Sequence, residues 1–122
     1  MPRILVVDDE EEVRTILYRF FTKRSYEVRT TETAVEAMNI LESETVDVVL
    51  LDIQLPGISG LEALRRIQTY WPDMPVIMIS GQGDEAVARE TLKAGAFDYV
   101  VKPLDFDYLE RTVYWKLVER LS

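Results

Sequence analysis

The sequence predicts an α/β protein built on a five-stranded parallel sheet with helices on both faces. Three observations predict it. Short, β-branched apolar runs alternate five times with stretches of helical spacing. Three of those runs are apolar throughout, the pattern of strands buried on both sides. The length, 122 residues, fits one core, so residues 1–122 are read as a single domain.

The first strand is Ile4 to Val7, four apolar residues in a row. Val13, Ile16, Leu17 and Phe20 then recur at three- and four-residue spacing, which predicts a helix lying on the sheet. Tyr26 to Thr30 alternates apolar and polar side chains, so the second strand shows one face to water. Thr33 with Glu36 fits the S/T-x-x-E box that starts a helix, continued by Ala34, Met38 and Leu41. The third strand, Val46 to Leu51, ends in a continuous apolar run. Ser59 with Glu62 is a second capping box, and Leu61, Leu64 and Ile67 carry the third helix. Val76 to Ile79 is the fourth strand. The fourth helix, Asp84 to Ala94, has only Val87 and Leu92 as large apolar residues, and Gly95 suits a left-handed stop. Phe97 to Val101 forms the fifth strand, alternating at its start. Leu109, Val113 and Leu117 stripe the fifth helix and leave Tyr108, Trp115, Val118 and Leu121 partly spare, either to cover core edges and stack locally or to meet a dimer partner or a docked output domain.

Continuous runs belong at the centre of the sheet and alternating ones at its edges. Strands two and five are therefore edges, which gives the order 2-1-3-4-5. That is the flavodoxin-like (βα)5 three-layer sandwich.

Composition narrows the function. With 48% hydrophobic and 30% charged residues, disorder is excluded. The absence of cysteine excludes disulfides and thiolate metal sites. The absence of histidine removes the commonest general base and the usual zinc ligand, and puts any phosphohistidine on a partner. A net charge of −8 repels nucleic-acid phosphates and anionic membranes, so neither is expected to bind this chain directly. Met1-Pro2-Arg3 and the short run after it lack a signal peptide's apolar stretch, and no segment nears the roughly 18 apolar residues of a membrane span. The cytoplasm is the expected location.

In such a sheet the crevice lies at the carboxyl ends of the strands. There the sequence places Asp8, Asp9 and Glu10 after strand one, Asp52 after strand three, Ser80 and Gly81 after strand four, and Lys102 and Pro103 after strand five. Clustered carboxylates repel one another until a hard cation intervenes. Oxygen ligands without His or Cys favour Mg²⁺, Mn²⁺ or Ca²⁺, and Mg²⁺ suits one or two carboxylates plus phosphate oxygens. A cation, a nucleophilic carboxylate, a hydroxyl and an ammonium are the parts of a phosphoryl-transfer site. Singly, each residue has a plainer reading. Asp9 with Glu12 could cap a helix, Asp52 could sit in a turn, Ser80 could satisfy backbone, and Lys102 could be a solvated surface lysine. Their joint placement at four strand ends carries the argument.

The motifs Val6-Val7-Asp8-Asp9-Glu10, Leu51-Asp52-Ile53-Gln54-Leu55-Pro56-Gly57 with Gly60, Met78-Ile79-Ser80-Gly81 and Tyr99-Val100-Val101-Lys102-Pro103 resemble those of receiver domains of two-component response regulators. The resemblance covers essentially the whole chain. It implies a regulatory switch rather than an enzyme with a separate substrate, with self-catalysed phosphotransfer and autodephosphorylation expected. Asp52 matches the phosphoacceptor. Asp8, Asp9, Asp52 and the backbone carbonyl of Gln54 match the Mg²⁺ site, with Mn²⁺ as a substitute. Ser80 and Lys102 match the groups that bind the phosphoryl. Ser80 and Tyr99 match the switch pair, and the Lys102–Pro103 bond is expected to be cis. Gln54 and Gln82 match positions that tune the phosphorylated lifetime. Gly81 is read as leaving the donor a clear approach. The implied partners are a sensor histidine kinase or phosphotransfer protein and a downstream output domain or protein. A homodimer through helix four, strand five and helix five is the further expectation. The run Ile79-Ser80-Gly81-Gln82-Gly83-Asp84 is similar to receivers attached to transcriptional activators.

The rival readings are an aspartyl-nucleophile phosphatase, a flavodoxin and an unphosphorylated interaction module. The first needs an acid two residues after Asp52, where Gln54 stands. The second needs a phosphate cradle after strand one, where Asp8 to Glu12 would repel a phosphate. The third is opposed by the intact set of acids, Ser80 and Lys102.

Overall fold

The computed structural model describes residues 1–81 and 83–121. Strands and helices alternate along them: β1 (Arg3–Val7), α1 (Glu11–Thr22), β2 (Glu27–Thr31), α2 (Ala34–Ser43), β3 (Val48–Asp52), α3 (Gly60–Tyr70), β4 (Val76–Ser80), α4 (Glu85–Lys93), β5 (Asp98–Val101) and α5 (Phe106–Leu121). All neighbouring strands pair in parallel, in the order β2-β1-β3-β4-β5. The expected flavodoxin-like arrangement is present. Gln82 and the side chain of Leu121 lie outside the described residues.

Strand alternation divides the core into two layers. Ile4, Val6, Val48, Leu50, Ile77 and Ile79 face α1 and α5, against Leu17, Phe21, Leu109 and Val113. Leu5, Val7, Val49, Leu51, Val76 and Met78 face the other way, against Ala34, Leu41, Leu64 and Ile67 of α2 and α3. The three central strands are buried on both faces, whereas β2 and β5 are largely half-buried or exposed. The contrast between continuous and alternating runs had the same physical origin.

The structure corrects several local expectations. β3 begins at Val48 rather than Val46, because the Asp47 carboxylate takes the Arg3 N–H at 2.7 Å and stands in for a ladder carbonyl. β3 and β4 each run one residue further, so Asp52 and Ser80 are the last residues of their strands. In α1 three of the four expected stripe residues, Val13, Leu17 and Phe20, pack against the core, and the departures are at Ile16 and Phe21. Ile16 is half exposed, and Phe21 is fully buried, edge-on to Phe20 and Tyr26. Both capping boxes close on one side only. Thr33 and Ser59 accept from the Glu36 and Glu62 N–H groups, but Glu36 takes the Thr31 hydroxyl and Glu62 turns to Arg66. Gly95 does adopt the left-handed stop, at φ 109°.

α4 is held loosely. Its one fully buried side chain is Thr91, while Val87 is half-buried and Leu92 is exposed. Among the described residues, no helix is long and apolar enough to cross a membrane.

Candidate functional site

Strand register assembles the site. Val7 pairs with Leu51, so Asp8 and Asp52 leave adjacent strands side by side. Asp52 pairs with Ile79, and Ser80 with Val101, which brings Lys102 to the same end of the sheet. The Lys102 N–H donates to the Ser80 carbonyl at 2.7 Å, and the Lys102–Pro103 peptide is cis, as expected.

Backbone bonds fix the two buried carboxylates. Asp8 Oδ1 accepts from the Glu10 N–H at 2.8 Å, and Asp52 Oδ1 accepts from the Gln54 N–H at 3.0 Å. This leaves both Oδ2 atoms for the crevice. The β3–α3 loop is pressed close by Gly60. A Cβ there would lie 2.1 Å from the Asp52 carbonyl oxygen and 2.6 Å from Ile53 Cα. Only glycine fits that approach.

One ammonium serves three acids. Lys102 Nζ lies 2.6 Å from Glu10 Oε1, 3.2 Å from Asp8 Oδ2 and 3.8 Å from Asp52 Oδ2. Burial pushes the Asp52 carboxyl up to about 6. The Gln54 N–H and the Lys102 charge oppose that rise, and Asp8 adds to it. Burial works against the Lys102 ammonium, yet its bond to Glu10 and the charges of Asp8 and Asp52 outweigh it and hold its pKa above the ordinary lysine value. Asp52 therefore stays ionised at neutral pH and Lys102 stays charged.

The sequence-predicted residues divide. Asp8, Asp52 and Lys102 come together as expected. Ser80 is buried at the next strand end, and pleat alternation sends it toward the α3 and α4 side. Tyr99 packs partly on that same layer, with its Cα opposite Met78. Asp9 is exposed and stands outside the tight carboxylate group. It does not cap α1 either: the cap position is Glu10, without a side-chain bond. Gln54 is exposed and enters through its N–H. Gly81 is exposed, and a Cβ there would meet nothing within 4 Å, so packing does not demand glycine.

Glu10 was named in the sequence only as one acid of a run. The structure makes it the nearest partner of Lys102. Among the described residues, Asp8, Glu10 and Asp52 form the carboxylate group whose oxygens lie within 4.8 Å of one another. Asp8 Oδ2 is buried and has the Lys102 ammonium 3.2 Å away as its ionic neighbour. The buried, closely spaced oxygens of Asp8 and Asp52 are an all-oxygen donor set that suits a hard divalent cation.

Known proteins share this chain's sequence pattern and fold. The family model for the response regulator receiver domain matches residues 4–114. The regulatory protein AtoC of Escherichia coli strain K12 is 37% identical over 111 residues, 91% of this chain and 24% of that protein. The transcriptional regulatory protein ZraR of Klebsiella oxytoca is 37% identical over 110 residues, 90% of this chain and 25% of that protein. The chain thus spans about a quarter of the length of these curated relatives. The crystal structure of the response regulator protein TrrA of Thermotoga maritima, in complex with Mg²⁺-BeF, superposes with a TM-score of 0.87. It is 38% identical, with 96% of this chain and all of that chain covered.

Proposed function

This chain belongs to the response regulator receiver domain family, and we propose that Asp52 is its phosphoacceptor, charged by a phosphohistidine on a sensor kinase or phosphotransfer protein. The observation that supports it most is the placement of Asp52. A carboxylate 3% exposed ends β3 with one oxygen tied to backbone and the other facing Lys102 and Asp8. Residues 1–122 act as one receiver unit, and the output lies in another domain or protein.

The Asp52 carboxylate attacks the phosphorus in line. An O–P bond forms, the P–N bond to the donor imidazole breaks, and that nitrogen keeps the electron pair and takes a proton. Lys102 and the Ser80 hydroxyl bind the phosphoryl oxygens. Asp8, Asp9, Asp52 and the Gln54 carbonyl would hold Mg²⁺, or Mn²⁺ in its place. The bound cation offsets the repulsion between the carboxylates and the incoming phosphoryl. Attack of water on the same phosphorus returns Asp52 to its free form, so the chain catalyses both its own charging and its own reset.

Recruitment of Ser80 leaves space toward Tyr99, and the α4–β5–α5 surface follows. That surface is suited to output. Leu92, Phe97, Val101, Tyr108 and Trp115 are all at least a third exposed there. The surface serves a homodimer or a docked output module, in the cytoplasm and without contact of this chain to nucleic acid or membrane. The name of ZraR, a transcriptional regulatory protein, supports a transcriptional output.

Incubation with acetyl phosphate and Mg²⁺, followed by intact mass, tests the acceptor. Wild-type protein should gain one phosphoryl group. Asp52→Asn, and wild type in EDTA, should gain none. Equal modification of the Asn variant would remove the proposal.

A further inference from the structure

The three acids around Lys102 are not equivalent. Glu10 Oε1 is 2.6 Å from the ammonium and Asp52 Oδ2 is 3.8 Å, so the lysine is drawn toward Glu10. The Glu10 side chain is more than half exposed, whereas those of Asp8 and Asp52 are buried. Glu10 is therefore the rim of the crevice and Asp52 its floor. Glu10 is also positioned by the site itself, since its N–H donates to Asp8 Oδ1. A phosphoryl group on Asp52 needs Lys102 at the floor, and Glu10 holds it at the rim.

From this geometry we infer that Glu10 is a positioning residue that holds Lys102 in its resting place, and that the switch must break the Glu10–Lys102 contact to engage a phosphoryl group on Asp52. The inference rests on the phosphoacceptor reading of Asp52 and adds a competitor to it. Asp8 and Asp52 keep their places through backbone bonds, so the lysine side chain is the part that moves. Glu10 then sets the balance between resting and charged forms without touching the phosphoryl group. An exposed ion pair of this kind contributes modestly, so the effect is a tuning of the equilibrium and not a block.

Beryllofluoride with Mg²⁺, a stand-in for the phosphoryl group, supplies the test. Its affinity is read from the amide NMR shifts of wild type, Glu10→Gln, Lys102→Ala and the double variant. Glu10→Gln should bind roughly three- to tenfold more tightly than wild type. In the Lys102→Ala background the same change should have no effect. The Lys102 side-chain ammonium, followed by NMR in the metal-free protein, should exchange faster with water in Glu10→Gln. Unchanged affinity in Glu10→Gln would overturn the inference. Equal tightening with and without Lys102 would overturn it too, because it would mean that Glu10 acts only by repelling the anion. If wild type fails to bind beryllofluoride, or Asp52→Asn binds it equally well, the phosphoacceptor reading itself fails.

Discussion

Asp52 carries its charge in a place that disfavours charge. Burial and the neighbouring Asp8 carboxylate raise its pKa from 3.8 to about 6, although Lys102 and the Gln54 N–H resist. An acid whose pKa is raised by folding favours its protonated form in the folded state. That contribution is complete below the unfolded value near 4 and is lost as pH rises through about 6. Asp52→Asn removes the conflict. In metal-free buffer at pH 8 the variant should be more stable than wild type, by up to about 3 kcal/mol. The two urea midpoints should converge toward pH 4. A variant less stable than wild type at pH 8 would show that Asp52 is a structural acid. Glu10 is the residue that sequence could not single out. It sits in a run of acids from Asp8 to Glu12, where an exposed glutamate is ordinarily a solvated helix-start charge. Only the 2.6 Å approach of Lys102, from 92 residues away, distinguishes it.

At the scale of elements, the legible features were those set by burial on both sides. The runs Ile4-Leu5-Val6-Val7, Val48-Val49-Leu50-Leu51 and Val76-Ile77-Met78-Ile79 could only be central strands, and they are. The face of α1 was less legible. Phe20 and Phe21 are adjacent and equally apolar, and three- and four-residue spacing admits either stripe. Packing against Tyr26 and the sheet selected Leu17 with Phe21. Ser25, at φ 69°, closes the α1–β2 turn in a conformation that sequence would assign to glycine. The contact of α3 with β3 is a glycine contact, and it was visible only as Gly60 in a motif. Gly60→Ala forces a methyl group into the Asp52 and Ile53 backbone. It should destabilise the fold by about 1–3 kcal/mol in urea denaturation. It should also move the Ile53 and Gln54 amide signals. An unperturbed site in a stable Ala variant would contradict the close approach.

At the scale of the molecule, the fold brings acids from the ends of β1 and β3 to one end of the sheet and supplies one partly buried lysine against them. The chain as a whole is acidic, at −8, so its long-range field favours cations and opposes anionic donors. A cation that binds the folded state alone raises stability in proportion to its occupancy. Mg²⁺ at a hundred times its Kd should add about 2.7 kcal/mol to unfolding free energy at pH 8. The gain should shrink at pH 5, where Asp52 is largely protonated. A stability indifferent to Mg²⁺ at pH 8 would oppose the metal site.

The position of the phosphoryl group itself is the most direct measurement. After charging with acetyl phosphate and Mg²⁺, reduction with borohydride converts an acyl phosphate into a stable alcohol that peptide mapping can locate. A phosphoryl group on Asp52 requires homoserine at position 52 and unmodified Asp8, Asp9 and Glu10. Reduction at any of those three acids, with Asp52 intact, would contradict it.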